Sequence, residues 1–239
     1  MSQTYSKKIW AYLAWLSISI IWGTTFLAIK VGVEQLPPLL FAGFRWLIAG
    51  AIFFVILRVI GMPLPSRKDL VYLAIIGTAM LGFSNGLIVA AEQWIPSGLT
   101  ALMITTLPLW TTVTESMLPG AEKNNRTVYL GLGLGFAGML LIFSGNIDIQ
   151  LKGNQLLGIL FVFLSIVSWI FGTLFSKYRE SKVHPMMGAA IQMLIAGSLQ
   201  TLLGLGLGEL SRFQFDQNSL LAFLYLIFVA SMLGYGSYM

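Results

Sequence analysis

The chain has 239 residues, of which 57% are hydrophobic and only 10% charged, with a mean hydropathy of +0.83. Soluble domains carry about 25% charged residues, so a water-soluble domain is excluded and a lipid bilayer is the solvent that fits. The net charge of +5 is spread over short connections instead of forming a patch, which argues against nucleic acid as a partner. The chain has no Cys and one His, His184, which excludes disulfides, thiol catalysis and Cys/His zinc sites. No metal and no cofactor is expected.

Apolar segments long enough to cross roughly 30 Å of hydrocarbon as helix recur eight times, at about 10–30, 38–58, 69–89, 97–117, 127–145, 155–175, 185–205 and 219–239. The first follows Lys7 and Lys8, as a signal peptide would. Its apolar stretch runs from Ile9 to Ala28 without an A-x-A cleavage pattern, and it is read as a transmembrane helix kept in the mature chain. Trp22 with Thr24 and Thr25 places an aromatic plate beside hydroxyls at mid-span. That combination suits a solute cavity, although hydroxyl and small residues also serve helix packing.

The second segment opens at Leu36-Pro37-Pro38 and holds Arg45, the one formally charged residue well inside a span. An intramembrane Arg faces the protein interior, a cavity or a partner, unless it snorkels to the interface; both readings stay open. The third carries Ser84 and Asn85 at mid-span and ends at Glu92. Glu92 is either a carboxylate at a cavity mouth, binding a cationic solute or a coupling proton, or a solvated loop acid. Pro108 falls near the middle of the fourth segment, where it is expected to kink the helix as a lining or gating element.

In the fifth segment, Gly133-Leu134-Gly135-Phe136-Ala137-Gly138 fits the dinucleotide pattern G-x-G-x-x-G. No strand precedes it, so the context that motif needs is missing; Gly131-x-x-x-Gly135 reads as a helix-packing face. The sixth segment brings Trp169 with Ser168 and Thr173, and the seventh starts at His184-Pro185 and carries Gln192. With the N-terminus inside, Lys7, Lys8, Arg58, Arg67, Lys68, Lys123, Arg126, Lys177, Arg179 and Lys182 lie on the inner side, against Lys30, Lys152 and Arg212 outside. Ten against three predicts a cytoplasmic N-terminus, and it places the sequon Asn125-Arg126-Thr127 on the cytoplasmic side.

The sequence also repeats. At a shift of 147 residues, Trp22 meets Trp169, Leu27 meets Leu174, Lys30 meets Lys177, Pro38 meets Pro185 and Ala42 meets Ala189. The run Leu47-Ile48-Ala49-Gly50 meets Leu194-Ile195-Ala196-Gly197, and Gln192 is the counterpart of Arg45. At a shift of 152, Ile75 and Met80-Leu81-Gly82 meet Ile227 and Met232-Leu233-Gly234. Five helices separate equivalent points, so the second copy must enter the membrane from the opposite side. The expected fold is thus an all-α polytopic bundle of two inverted repeats, over 10–145 (helices 1–5) and 155–239 (helices 6–8). The second copy lacks counterparts of helices 4 and 5, so the chain is read as eight transmembrane helices of an expected ten, truncated at its C-terminal end.

Ile21-Trp22-Gly23-Thr24-Thr25-Phe26 with Lys30, Pro38, Arg45 and Ala49-Gly50 resembles the first two helices of the EamA repeat of the drug/metabolite transporter superfamily. Ala91-Glu92, Pro96-Ser97-Gly98 and Thr106-Leu107-Pro108-Leu109 are similar to its third and fourth helices, in the manner of the YedA-type inner-membrane exporters. The resemblance implies ten helices, a central cavity between two halves, and export or exchange of small amino-acid-like or drug-like metabolites. The expected function is therefore secondary transport by alternating access in the inner membrane, with a homodimer left open. Two other readings stand beside it: a non-transporting truncated membrane protein or partner subunit, and a membrane-embedded enzyme. The enzyme would need a carboxylate dyad, a His cluster or an activated nucleophile within the membrane, and the sequence offers none, so no catalytic residue is named.

Overall fold

The computed structural model describes residues 2–119, 125–146, 153–179, 181 and 183–234, and among these there are helices and turns but no strand. In chain order the helices are α1 (Ser2–Val33), α2 (Pro38–Val59), α3 (Arg67–Ala91), α4 (Ser97–Ile104), α5 (Leu107–Ser116), α6 (Arg126–Asn146), α7 (Gln155–Lys177), α8 (Pro185–Gly206) and α9 (Gln217–Gly234). Six of them are long and apolar enough to cross a membrane: Trp15–Val33 within α1, and the whole of α2, α3, α7, α8 and α9.

Local chemistry sets the helix ends. Pro38 and Pro185 occupy the first turns of α2 and α8, where a missing N–H costs nothing and the fixed φ suits the helix. Ser66 accepts from Asp69 N at the start of α3. Asp216 and Ser219 form a reciprocal capping box on α9, satisfying donors that have no partner within the helix. Past the ends of α2 and α8, Gly61 and Gly208 take φ of +86° and +71°, left-handed values open to glycine. These two glycines stand 147 residues apart, as do both ends of α2 and α8.

The expected segments are helical within a few residues of their expected bounds. The fourth is broken instead of kinked: α4 stops at Ile104, and Pro108 lies in the first turn of α5. There its ring needs no hydrogen bond, so the chain restarts the helix rather than bending it. The third and eighth segments each contain a π-helical stretch, Thr78–Ser84 in α3 and Leu226–Gly234 in α9. Lys123, Lys152, Lys182, Gly120 and the last five residues of the eighth expected segment lie outside the described residues.

The centre of the molecule is the α2–α8 pair, which pack along much of their length. Small residues allow the approach. A Cβ added to Gly197 would lie 2.6 Å from Leu47 N, and one added to Gly50 would lie 2.9 Å from Met193 Cβ. Around this pair the packing is reciprocal: α1 lies on α9, and α7 lies on α3. The main core runs through α1, α2, α3, α8 and α9, with Phe41, Leu81, Met193 and Leu226 fully buried; a smaller apolar cluster joins α3 and α4 to α7.

Candidate functional site: the seam around α2 and α8

Trp22 and Trp169, which align at the 147-residue shift, meet. Trp22 of α1 and Trp169 of α7 stand edge to face with ring centroids 6.3 Å apart and planes at 88°, an arrangement favoured by the ring quadrupoles. Beside them, Thr24 Oγ1 and Tyr225 OH are 2.5 Å apart, tying α1 to α9. Thr25, next along α1, donates back to Ile21 O of its own helix, and its buried hydroxyl is thereby satisfied.

Arg45 is fully inside the protein, at 2% exposure, and does not snorkel. Its Nε donates to Ser231 Oγ of α9 at 2.9 Å, and its guanidinium stacks on Trp46 at 4.2 Å from the ring centroid. Nη1 is buried without a hydrogen-bond partner. The Trp46 indole in turn donates to Asn85 Oδ1 of α3 at 3.0 Å, the partner an intramembrane Asn needs. Gln192, the counterpart of Arg45, is buried against α3: a Cβ on Gly77 would lie 2.9 Å from its Cα. Arg45 therefore meets the π-helical stretch of α9, while Gln192 lies against the residue preceding that of α3.

A π-helical turn displaces the regular backbone ladder and leaves carbonyls to be satisfied from outside. In α3 they are satisfied from the other half of the chain. Gln200 Nε2 of α8 donates to Leu81 O at 2.9 Å and to Gly82 O at 2.8 Å, and Ser168 Oγ of α7 donates to Ala79 O at 2.7 Å. Gln200, Ser231 and Tyr225 are absent from the sequence-level set. Gln200 carries the weak signal of a second amide, beside Gln192, in an apolar helix, whereas Ser231 and Tyr225 are exposed as partners only by the packing of α9. Ser84 is buried at the end of the π-helical stretch.

Glu92 is neither a solvated acid nor a group at an open mouth. It has 0% exposure, and neither carboxyl oxygen has a hydrogen-bond partner. Lys30 Nζ of α1 donates to the main-chain oxygen of Glu92 at 2.7 Å. Glu92 stands one residue past the end of the α3 span, and burial pushes its carboxyl up to about 9, against the downward pull of Lys30.

Three cavities are walled by helices other than α2 and α8. An apolar pocket of about 610 Å³ is walled by α5 and α7, with Trp110, Phe163 and Tyr178 among its lining. A groove of about 590 Å³ between α1 and α9 is walled by Thr24 and Tyr225, with Glu34 and Asp216 further along it. A third, of about 520 Å³, includes Ser168 beside α3. Pro108 is exposed in α5, and the exposed His184 simply precedes α8. Among the described residues no cluster of His, Asp and Glu has the makings of a metal site.

The model of the EamA-like transporter family matches residues 9–144. The uncharacterized inner membrane transporter YedA of Escherichia coli is 34% identical over 95% of this chain and 72% of its own length. The uncharacterized transporter YoaV of Bacillus subtilis is 32% identical over 76% of this chain and 64% of its own. A probable amino-acid metabolite efflux pump of Salmonella typhimurium is 28% identical over 92% of this chain and 74% of its own length. No solved structure matches the chain. On the family match and the YedA similarity together, the chain belongs to the EamA-like transporter family.

Proposed function

We propose that this protein is an inner-membrane secondary transporter that exports small amino-acid-like or drug-like metabolites. Its two halves are inverted repeats that rock about the α2–α8 seam, with the N-terminus in the cytoplasm. The observation that carries this reading is the reciprocal packing of repeat-related parts: Trp22 on Trp169, α1 on α9 as α7 on α3, and Arg45 and Gln192 each directed to the opposite half. Inverted halves packed about a common seam give two arrangements of similar energy, one open to each side, which is what alternating access requires. The export direction and the amino-acid-like class are supported by the name of the Salmonella typhimurium relative, and the membrane by that of YedA.

Efflux from cells tests the reading. Cells overproducing the protein and preloaded with a panel of labelled amino acids should lose at least one label severalfold faster than cells carrying the empty vector. Trp169→Ala should lower that rate while the protein remains in the membrane. Equal rates with and without the protein, across the amino acids and a matching panel of drug-like dyes, would remove the proposal.

A further inference from the structure

Glu92 combines three features that a structural acid does not need. It is fully buried, both carboxyl oxygens lack a partner, and a cation is already stationed on its own main chain rather than on its carboxylate. A buried charge without a partner is expensive, so a carboxyl so placed holds a proton unless a counter-ion reaches it. One side of the surroundings is apolar: Ala91 before Glu92 and Ile95 three residues after it are buried, and with Leu99 and Val162 they form an apolar cluster, while the adjacent Gln93 is exposed. On α7, Gly158 lies so close that an added Cβ would stand 3.3 Å from Ala91 O and 2.9 Å from Ile95 Cγ2.

The charged groups on the elements packed around Glu92 are few. Among the described side chains of α1 there are Lys30 and the exposed Glu34 that follows the helix. On α2 there is Arg45, already held by Ser231 and Trp46, and Arg58 near the far end of the helix, bonded to Met62 O. The helix α4 has none, and α7 has only Lys177 at its last position, paired with Glu115. Lys30 is thus the cation placed to answer a charge on Glu92.

We propose that Glu92 is a reversible proton-binding site at the end of the third span, and that Lys30 is the counter-ion it acquires on deprotonation. In the described conformation the carboxyl is neutral and Lys30 Nζ rests on the Glu92 carbonyl. When the site opens to water, the O–H bond breaks, the electron pair stays on the carboxylate and the proton passes to water. Lys30 then turns from the carbonyl to the carboxylate of the same residue, a rotation within its own side chain. The two arrangements bury different net charge, so they favour different degrees of closure of α1 against α3. Taken with the transport reading, on which this last step rests, the site ties the opening of one face to the binding and release of a proton.

Infrared difference spectra of the protein in lipid, taken across neutral and alkaline pH without any solute, test the site directly. A carbonyl stretch from a protonated carboxyl should persist at neutral pH, fade with an alkaline midpoint, and be lost in Glu92→Gln, whose amide copies the neutral acid and should fold. Glu92→Asp should keep the band at a shifted frequency. Lys30→Met should raise the midpoint by about 1 pH unit or more, the usual effect of losing a neighbouring cation. Absence of the band, its survival in Glu92→Gln, or an unchanged midpoint in Lys30→Met would overturn the proposal. Because no solute is present, such a failure leaves the transport reading standing. A lack of efflux in cells, in turn, removes transport without touching the band.

Discussion

Gln200 shows how one side chain can hold an irregular backbone in place. Its amide gives both protons to the π-helical stretch of α3, at Leu81 O and Gly82 O, and its side chain is fully buried there. Gln200→Leu fills the same space without a donor and takes a side-chain hydrogen bond from each of two buried carbonyls, of which Gly82 O still accepts from Asn85 N; the loss is about 1–3 kcal/mol. Thermal unfolding in detergent should therefore show a clear drop in midpoint, and a midpoint like that of the parent protein would mean that the turn finds other donors. Glu92 gives a second prediction with a definite sign. Its carboxyl is raised to about 9 in the fold from an ordinary value of 4.5, so between those values the folded state keeps a proton that the unfolded state has lost. Stability then falls as pH rises through that window, by about 1.4 kcal/mol per pH unit for the isolated group. Glu92→Gln cannot titrate and should flatten this slope, which unfolding midpoints measured from mildly acidic to alkaline pH would reveal. The sequence made Glu92 visible as a residue of interest but left its surroundings undecided, because burial at a helix end depends on what α1 and α7 bring to it. Gln200 was illegible for a related reason: the π-helical turn that needs it lies 118 residues away, and nothing in the local pattern of α3 announces the turn.

The elements themselves were far more legible. Length and hydropathy are local properties, and prolines, serine and aspartate mark the starts of α2, α3, α8 and α9. The fourth segment is the exception, since a proline inside an apolar run is compatible with either a kink or a restart. The carbonyls of Leu102 and Met103, taken by the Thr105 and Thr106 hydroxyls, belong to the break and not to any sequence period. Glycine positions also divide by context. Gly131, Gly133, Gly135 and Gly138 of α6 have open space where a Cβ would go, so the packing face expected from Gly131-x-x-x-Gly135 has no covering helix among the described residues. At Gly197 of α8 the same Cβ would meet Leu47 N at 2.6 Å and Gly43 O at 2.9 Å, both backbone atoms of α2 that cannot step aside. Gly197→Ala should thus force α2 and α8 apart at a cost of about 1–3 kcal/mol. Gly133→Ala should leave stability unchanged or raise it by up to about 1 kcal/mol through helix propensity. Unfolding midpoints of the two variants, compared side by side, check the contrast; an equal response would mean that the α2–α8 seam is looser than its glycines indicate.

For the whole molecule, the question that decides mechanism is whether the repeat is inverted, and equivalent turns offer a direct test. Gly61 and Gly208 end α2 and α8 with the same left-handed turn. Three residues beyond them stand Leu64 and Ser211, both exposed and again 147 residues apart. If the halves run in opposite senses through the membrane, these two positions face opposite sides. The loop charges predict the sides: Arg58, Arg67 and Lys68 flank Leu64, whereas Glu209, Arg212 and Asp216 flank Ser211, and basic loops favour the cytoplasm. Since the chain contains no cysteine, Leu64→Cys and Ser211→Cys each carry a single thiol, and no background has to be removed. A membrane-impermeant maleimide should label Ser211→Cys on intact cells and reach Leu64→Cys only after the membrane is opened. Labelling of both from the same side would sink the inverted repeat and, with it, the rocking of two antiparallel halves. Labelling with the sides exchanged would keep the inversion, move the N-terminus to the outside, and place Glu92 on the cytoplasmic face.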